Sequence, residues 1–191
     1  MEESEAQGQM TVCALAEAAQ TTSDNVAANL LLNLIEGPAG FTSGLRDPGD
    51  ETTRPDRYEP DMNLFPPGEI RDTTTPAASA ATVNSMLFGD FLTAQNRQQL
   101  ADWTRQTETG RRRLRAGFPT TWLSGNKMGT GMHETMPTKY TDIAIVWPSE
   151  AIPGFVLATF YDDDGTRGAF RREDEKVLKA VGERCAQYYG V

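Results

Sequence analysis

Three short stretches carry side chains whose types and spacing can do chemistry: Ser23-Asp24-Asn25, Glu59-Pro60-Asp61-Met62-Asn63 and Lys127-Met128-Gly129-Thr130-Gly131. In the first, three small polar residues stand directly against an apolar run from Val26 to Ile35. Such a triplet can cap the helix that follows, or it can line a cavity that holds a substrate. In the second, a carboxylate and a carboxamide stand four residues apart on a turn-like loop, a spacing that lets both side chains point one way. A loop glutamate is equally read as an ordinary surface charge. In the third, an ammonium stands among glycines, either as an anion-attracting group or as a solvated turn lysine. His133, the single histidine, lies in a Gly- and Met-rich turn and reads as an exposed loop residue. With Cys13 and Cys185 far apart, no metal signature exists, and no metal or cofactor is expected.

The elements that must position these groups follow from the apolar pattern. Val12, Leu15, Ala16 and Ala19 recur at helical spacing from Met10 to about Thr21-Thr22. Ser23 then offers an N-cap, and Val26 to Ile35 predicts a second helix, apolar enough to require burial on most sides. A short helix is expected over Ala39 to Leu45. Residues 49–75, with Pro55, Pro60, Pro66 and Pro67, form a long loop that Arg54, Asp56, Arg57, Glu59, Arg71 and Asp72 can close by internal ion pairs. Thr75 caps a helix starting at Pro76 and running to about Leu87, and another spans Thr93 to about Thr107, with Leu100 and Trp103 as expected core anchors. Beyond Arg111-Arg112-Arg113 the character changes. Trp122-Leu123 leads into GNKMGTG, Ile143–Trp147 and Phe155–Tyr161 read as strands, and Glu173–Tyr189 reads as an amphipathic helix. The expected organisation is a leader over residues 1–9, an all-helical lobe over 10–110 and a strand-plus-helix lobe over 111–191, the two lobes meeting near residues 105–120.

The 191 residues, 38% hydrophobic, suffice for one sizeable domain or two small lobes sharing an interface. Eighteen Lys and Arg against 27 Asp and Glu give a net charge of −9, which argues against a nucleic-acid partner. No stretch approaches the length of a membrane span, and the acidic MEESEAQGQ is the reverse of a secretory signal.

The three stretches, in this order, resemble the class A serine β-lactamases, whose signature set is S-x-x-K, S-D-N, E-x-x-x-N on a loop and K-[TS]-G. The segments MTVCALAEAAQTTSDNVAANLLL, GDETTRPDRYEPDMN, RDTTTPAASAAT and TDIAIVWP also look like that family, so the resemblance runs from about residue 10 to the C-terminus. It implies an α+β (α/β) fold of the β-lactamase/transpeptidase kind and hydrolysis of the lactam amide through an acyl-enzyme. By resemblance, Ser23 passes a proton to the departing lactam nitrogen, and Lys127 orients Ser23 and attracts the substrate carboxylate. Glu59 is the base for the deacylating water, with Asn63 holding the same water. Asn25 binds the substrate side-chain amide, Thr130 supplies an oxyanion-hole N–H, and Arg113 anchors the carboxylate. Asp24 fixes its turn, Arg57 with Asp72 closes the loop, and Arg54 with Asp56 braces it. The resemblance also implies β-lactams as small-molecule partners and a periplasmic or secreted location. No export signal is visible, so the location of this form is open.

Two departures from the family pattern are visible. Only 22 residues precede Ser23 and none forms S-x-x-K, so the nucleophile, its helix and the opening strands are expected to be absent. The one literal match, Ser124-Gly125-Asn126-Lys127, is discounted, because positions three apart face opposite ways on a strand. The second departure is Met128, where the family carries a hydroxyl that contacts the substrate carboxylate; Thr130 compensates in part. The chain alone is therefore expected to be inactive, to expose the apolar face of the Val26–Ile35 helix that the family's central helix covers, and to be unstable, molten or oligomeric without a complementing N-terminal fragment. A non-catalytic β-lactam-binding remnant and a penicillin-binding transpeptidase relative are the alternatives. Glu59 with Asn63 argues against the latter, since a dedicated deacylating base separates hydrolases from long-lived acyl-enzymes.

Overall fold

The computed structural model describes residues 8–190. The expected leader lies mostly outside the described residues. The helices begin where short polar side chains satisfy free N–H groups. Thr11 Oγ1 accepts from Ala14 N at 3.1 Å to open α1 (Val12–Thr21). Asp24 Oδ1 accepts from Ala27 N at 2.9 Å to open α2 (Asn25–Leu34). α3 (Gly37–Arg46) follows, then the long loop with a single 3-10 turn at Asp61–Asn63. Thr75 caps α4 (Pro76–Leu87) with Pro76 in its first turn, and Thr93 caps α5 (Ala94–Gln106). A second 3-10 turn, Leu114–Gly117, leads into β1 (Leu123–His133), β2 (Met136–Trp147), β3 (Phe155–Arg167) and α6 (Arg172–Tyr188).

The three strands form an antiparallel sheet in the order β1-β2-β3, with Lys127 opposite Ile143 and Thr130 opposite Tyr140. Alternation along β2 builds two layers of core. Ala144 and Val146 face α6, packing with Leu114, Phe118, Trp122 and Ala186. Ile145 points the other way, to Leu87 of α4 and Ala101 of α5. Gly125 allows α5 to lie directly on β1: a Cβ there would come within 2.5 Å of Thr104 Oγ1. This close contact sets the height of β1, and with it Lys127, against the helical layer.

Two expectations are corrected. The N-cap of α2 is Asp24, one residue after Ser23, because Ser23 takes φ 62°, where its side chain turns away from the helix end. Trp103 and Leu100 are half-buried, while Ala101 and Thr104 take the buried places, since only small side chains fit where α5 meets the sheet. The apolar run of α2 is not enclosed. Val26 is 68% and Leu34 61% exposed, and Ala27 is its only buried residue. Leu30, Ile35 of the following turn and Val12 of α1 are exposed too, so no described element covers this face.

Uncovered apolar surface of this kind drives association. The purified 191-residue chain is expected to bind a hydrophobic dye and to self-associate with rising concentration in sedimentation velocity. A dye-silent monomer at every concentration would contradict this.

Candidate active site

The turn between α1 and α2 carries Ser23 with its backbone in the left-handed region, a conformation that a non-glycine residue keeps only when its surroundings hold it. Thr22 N and Asp24 N both donate to Ala18 O, at 3.1 and 3.4 Å, and Asp24 caps α2. This leaves Ser23 Oγ facing β1, where Lys127 Nζ donates to it at 2.8 Å and to Met128 O at 3.0 Å. Asn25 opens α2 and is exposed.

The loop holding Glu59 is closed by charge. Asp72 Oδ1 accepts from Asp56 N and Arg57 N at 2.7 and 2.9 Å, and its Oδ2 accepts from Arg57 Nε at 2.5 Å. Arg57 also donates to Leu64 O at 2.6 Å. Arg54 holds Asp56 through two bonds of 2.9 and 2.7 Å. At the loop's base, Asp50 accepts from Thr52 N, Thr53 N, the Thr53 hydroxyl and the Thr82 hydroxyl. Burial works against that carboxylate, but these donors outweigh it and lower its pKa to about 2. Within this frame, Asn63 Nδ2 donates to Glu59 Oε2.

Glu59 and Lys127 both line a cavity of 520 Å³ whose remaining wall is largely apolar, with Ala16, Ala19, Leu31, Leu32, Met62, Leu100 and Trp103 among its residues. Removal from water dominates both ionisations. It raises the Glu59 carboxyl, against the Asn63 hydrogen bond and the Lys127 charge. It lowers the Lys127 ammonium, against the charges of Glu59 and Asp142. Burial thus makes the Glu59 carboxylate a stronger base and the Lys127 ammonium a stronger acid than either is in water.

At the far end of β1, Arg113 is only 1% exposed. Its guanidinium donates to Gly129 O at 2.7 Å, Thr141 O at 2.8 Å and Thr130 Oγ1 at 2.5 Å, with Glu175 Oε1 at 3.5 Å. Its donors are thus turned onto the protein, and any reach toward a ligand carboxylate runs through the Thr130 hydroxyl. That hydroxyl also donates to Met128 Sδ at 3.6 Å. His133 is exposed at the strand end, next to Thr135 Oγ1 at 3.0 Å. Ser124 and Lys127 share β1, as expected for a chance S-x-x-K match.

Reasoning from the sequence missed four residues that shape the site. Asn29 grips the Glu59 backbone from α2, accepting from Glu59 N and donating to Glu59 O, both at 2.9 Å. Its signal is an amide side chain inside an otherwise apolar helical run. Asn126, beside Lys127, donates to Asp142 Oδ1 at 2.8 Å, while Asp142 Oδ2 accepts from Leu114 N at 3.0 Å. Both side chains are fully buried. The fourth is Gln20, at the end of α1.

Fold and site together define the β-lactamase/transpeptidase-like α+β class. Comparison narrows this further: the profile of the Beta-lactamase enzyme family matches residues 1–189, and the chain belongs to that family. It is 45% identical over 175 residues to Beta-lactamase AST-1 of Nocardia asteroides, covering 92% of this chain and 54% of that protein. Against Beta-lactamase L2 of Stenotrophomonas maltophilia it is 44% identical over 177 residues, covering 93% and 56% respectively. Among solved structures, the W229D mutant of the last common ancestor of Gram-negative bacteria class A β-lactamase superposes with a TM-score of 0.86 at 44% identity, covering 95% of this chain and 66% of that one. The chain thus spans about half the length of these curated relatives. No helix among the described residues is long and apolar enough to cross a membrane.

The buried Asp142 makes stability depend on pH. Burial raises its carboxyl from 3.8 to about 6, against the Asn126 and Leu114 hydrogen bonds and the charges of Arg113 and Arg115. The folded state therefore holds this proton more tightly than the unfolded state does. The stability it contributes is complete below pH 3.8 and is lost as pH rises to about 6, a change of about 3 kcal/mol. Urea unfolding should show this fall between pH 4 and 6, with Asp142→Asn removing it. The comparison can be made in a hybrid that joins this chain to the portion of the Nocardia asteroides enzyme that it does not match. Equal slopes in the two proteins would contradict the assignment.

Proposed function

We propose that this chain supplies the proton-transfer and deacylation half of a serine β-lactamase site, acting on the lactam amide through an acyl-enzyme. The observation that carries this reading is the cavity that Glu59 and Lys127 both line, with Lys127 bonded to the Ser23 hydroxyl at 2.8 Å. Ser23, held by the ammonium, relays a proton to the lactam nitrogen as the ring opens; a hydroxyl can accept from Lys127 while donating onward. Glu59 then removes a proton from the water that attacks the acyl-enzyme ester, and Asn63 positions that water. The Thr130 N–H contributes one oxyanion donor, an interaction worth about 3 kcal/mol in comparable sites. Its hydroxyl, steered by Arg113, receives the substrate carboxylate in place of the hydroxyl that Met128 lacks. Asn25, exposed at the start of α2, meets the acylamido side chain.

Within this sequence the only S-x-x-K lies on β1, so the nucleophile must come from another segment. The test compares two proteins on a chromogenic cephalosporin: the 191-residue chain and the hybrid. The chain alone is expected to leave the substrate intact, and the hybrid to turn it over. Turnover by the chain alone would overturn the assignment of the nucleophile. A folded hybrid that neither turns over nor forms a covalent adduct would overturn the reading of the site.

A further inference from the structure

Gln20 stands three residues ahead of Ser23, near the end of α1, and is not part of any motif in the sequence. Its side chain crosses from the helical layer to the sheet. Nε2 donates to Thr107 Oγ1 at 2.9 Å and to Asn126 O at 3.1 Å. Asn126 O is the carbonyl immediately before Lys127. The Thr107 hydroxyl donates in turn to Trp103 O at 3.0 Å, which leaves a lone pair for Gln20. Both amide protons of Gln20 are therefore used, one on each side of the lobe junction. The amide cannot flip without setting its own oxygen against the Asn126 carbonyl. A backbone bond runs alongside, from Glu108 N to Thr21 O at 2.9 Å. Gln20 also lines the cavity that holds Glu59 and Lys127.

We infer that Gln20 is a positioning residue: it ties the turn carrying Ser23 to the strand carrying Lys127 and so fixes the hydroxyl against the ammonium. The inference rests on the reading of Ser23 and Lys127 as reacting groups. The turn needs such a tie. Ser23 sits at positive φ, and the turn's backbone is held to α1, to α2 and, through Glu108 N to Thr21 O, to the segment after α5; none of these backbone bonds reaches β1, so they leave the distance to it undetermined.

The chain has four lysines, at 127, 139, 176 and 179, so the Lys127 titration can be followed by NMR with lysine labelled at Cε and Nζ. Glu59, Asp142 and Arg113 are the other charges acting on Lys127, and the variants leave all three in place. Gln20→Met keeps the side-chain volume and removes both donors. It should shift the Lys127 titration in the same direction as Ser23→Ala, while the double variant Gln20→Met/Ser23→Ala shifts no further than Ser23→Ala alone. Thr107→Val, which removes the acceptor on the other side, should act as Gln20→Met does. An unshifted Lys127 in both variants, or a Gln20→Met shift that is equally large without the Ser23 hydroxyl, would overturn the inference.

In the hybrid, Gln20→Met should lower kcat about tenfold with little change in KM, as misplacement of a reacting group does. The titration involves no substrate, so the positioning role can stand or fall separately from the hydrolase reading. That reading fails instead if the unsubstituted hybrid is inactive.

Discussion

Glu59→Gln in the hybrid will acylate on mixing with a chromogenic cephalosporin and then stall. The carboxamide keeps the size of the side chain and its place beside Asn63, but it cannot take a proton from water. Glu59 is also poorly replaced by anything nearby. Its backbone is fixed by two bonds from Asn29, its loop is closed by Arg57 and Asp72, and burial raises its basicity. Loss of a positioned general base costs about 10²–10⁴ in rate, so turnover should fall in that range. A burst of about one product per enzyme should remain, and mass spectrometry of the quenched protein should find the acyl adduct. Formation of the adduct at an unchanged rate with slowed release locates the defect in deacylation. Equal slowing of both steps would show that Glu59 is not the deacylating base.

The second large effect is structural. Arg113→Met should lower the unfolding free energy of the hybrid by about 3–5 kcal/mol in urea, the usual consequence of removing one partner from a buried ionic cluster. Methionine fills much of the same space but leaves Gly129 O, Thr141 O and Thr130 Oγ1 without their donor, and Glu175 without its cation. The guanidinium also lies 5.3 Å from the centre of the Tyr140 ring, a contact that is lost with the charge. Arg113→Lys should recover only part of the stability, because one ammonium cannot serve acceptors spread across β1, β2 and α6. A loss below about 1 kcal/mol, the value of a surface ion pair, would show that the cluster is solvated rather than buried.

Arg113 also shows where reading the sequence stopped. Next to Arg111 and Arg112 it is one cation in a run, and the resemblance gives it a ligand-facing role. Only the packing of the Leu114–Gly117 turn against β1, β2 and α6 reveals that its donors point inward. Asp142 is similar: one polar residue in a strand pattern gives no hint that it is fully buried against Asn126. Asn29 was more legible, since an amide in an apolar helix needs a partner, but the partner lies thirty residues away in the loop. The apolar pattern of α2 indicated a helix with a face that needs covering; that no described element covers it follows from what packs there, because periodicity reports what a face requires, not whether another element supplies it.

Local chemistry determined what the sequence could show by itself. The cap at Thr75, the proline at the start of α4 and the charged loop ends depend on neighbours a few residues apart, and all were legible in the chain. The order of the three chemical stretches was likewise sufficient to indicate the family. Only the tertiary structure decided which groups meet. The Ser23–Lys127 bond spans 104 residues, and the Gln20 tie to Asn126 spans 106. Contacts at such separations are fixed by how α1 packs on α5 and α5 on β1, through the space that Gly125 leaves for Thr104. No local pattern encodes that distance, because it is set by the summed volumes of side chains drawn from three separate elements.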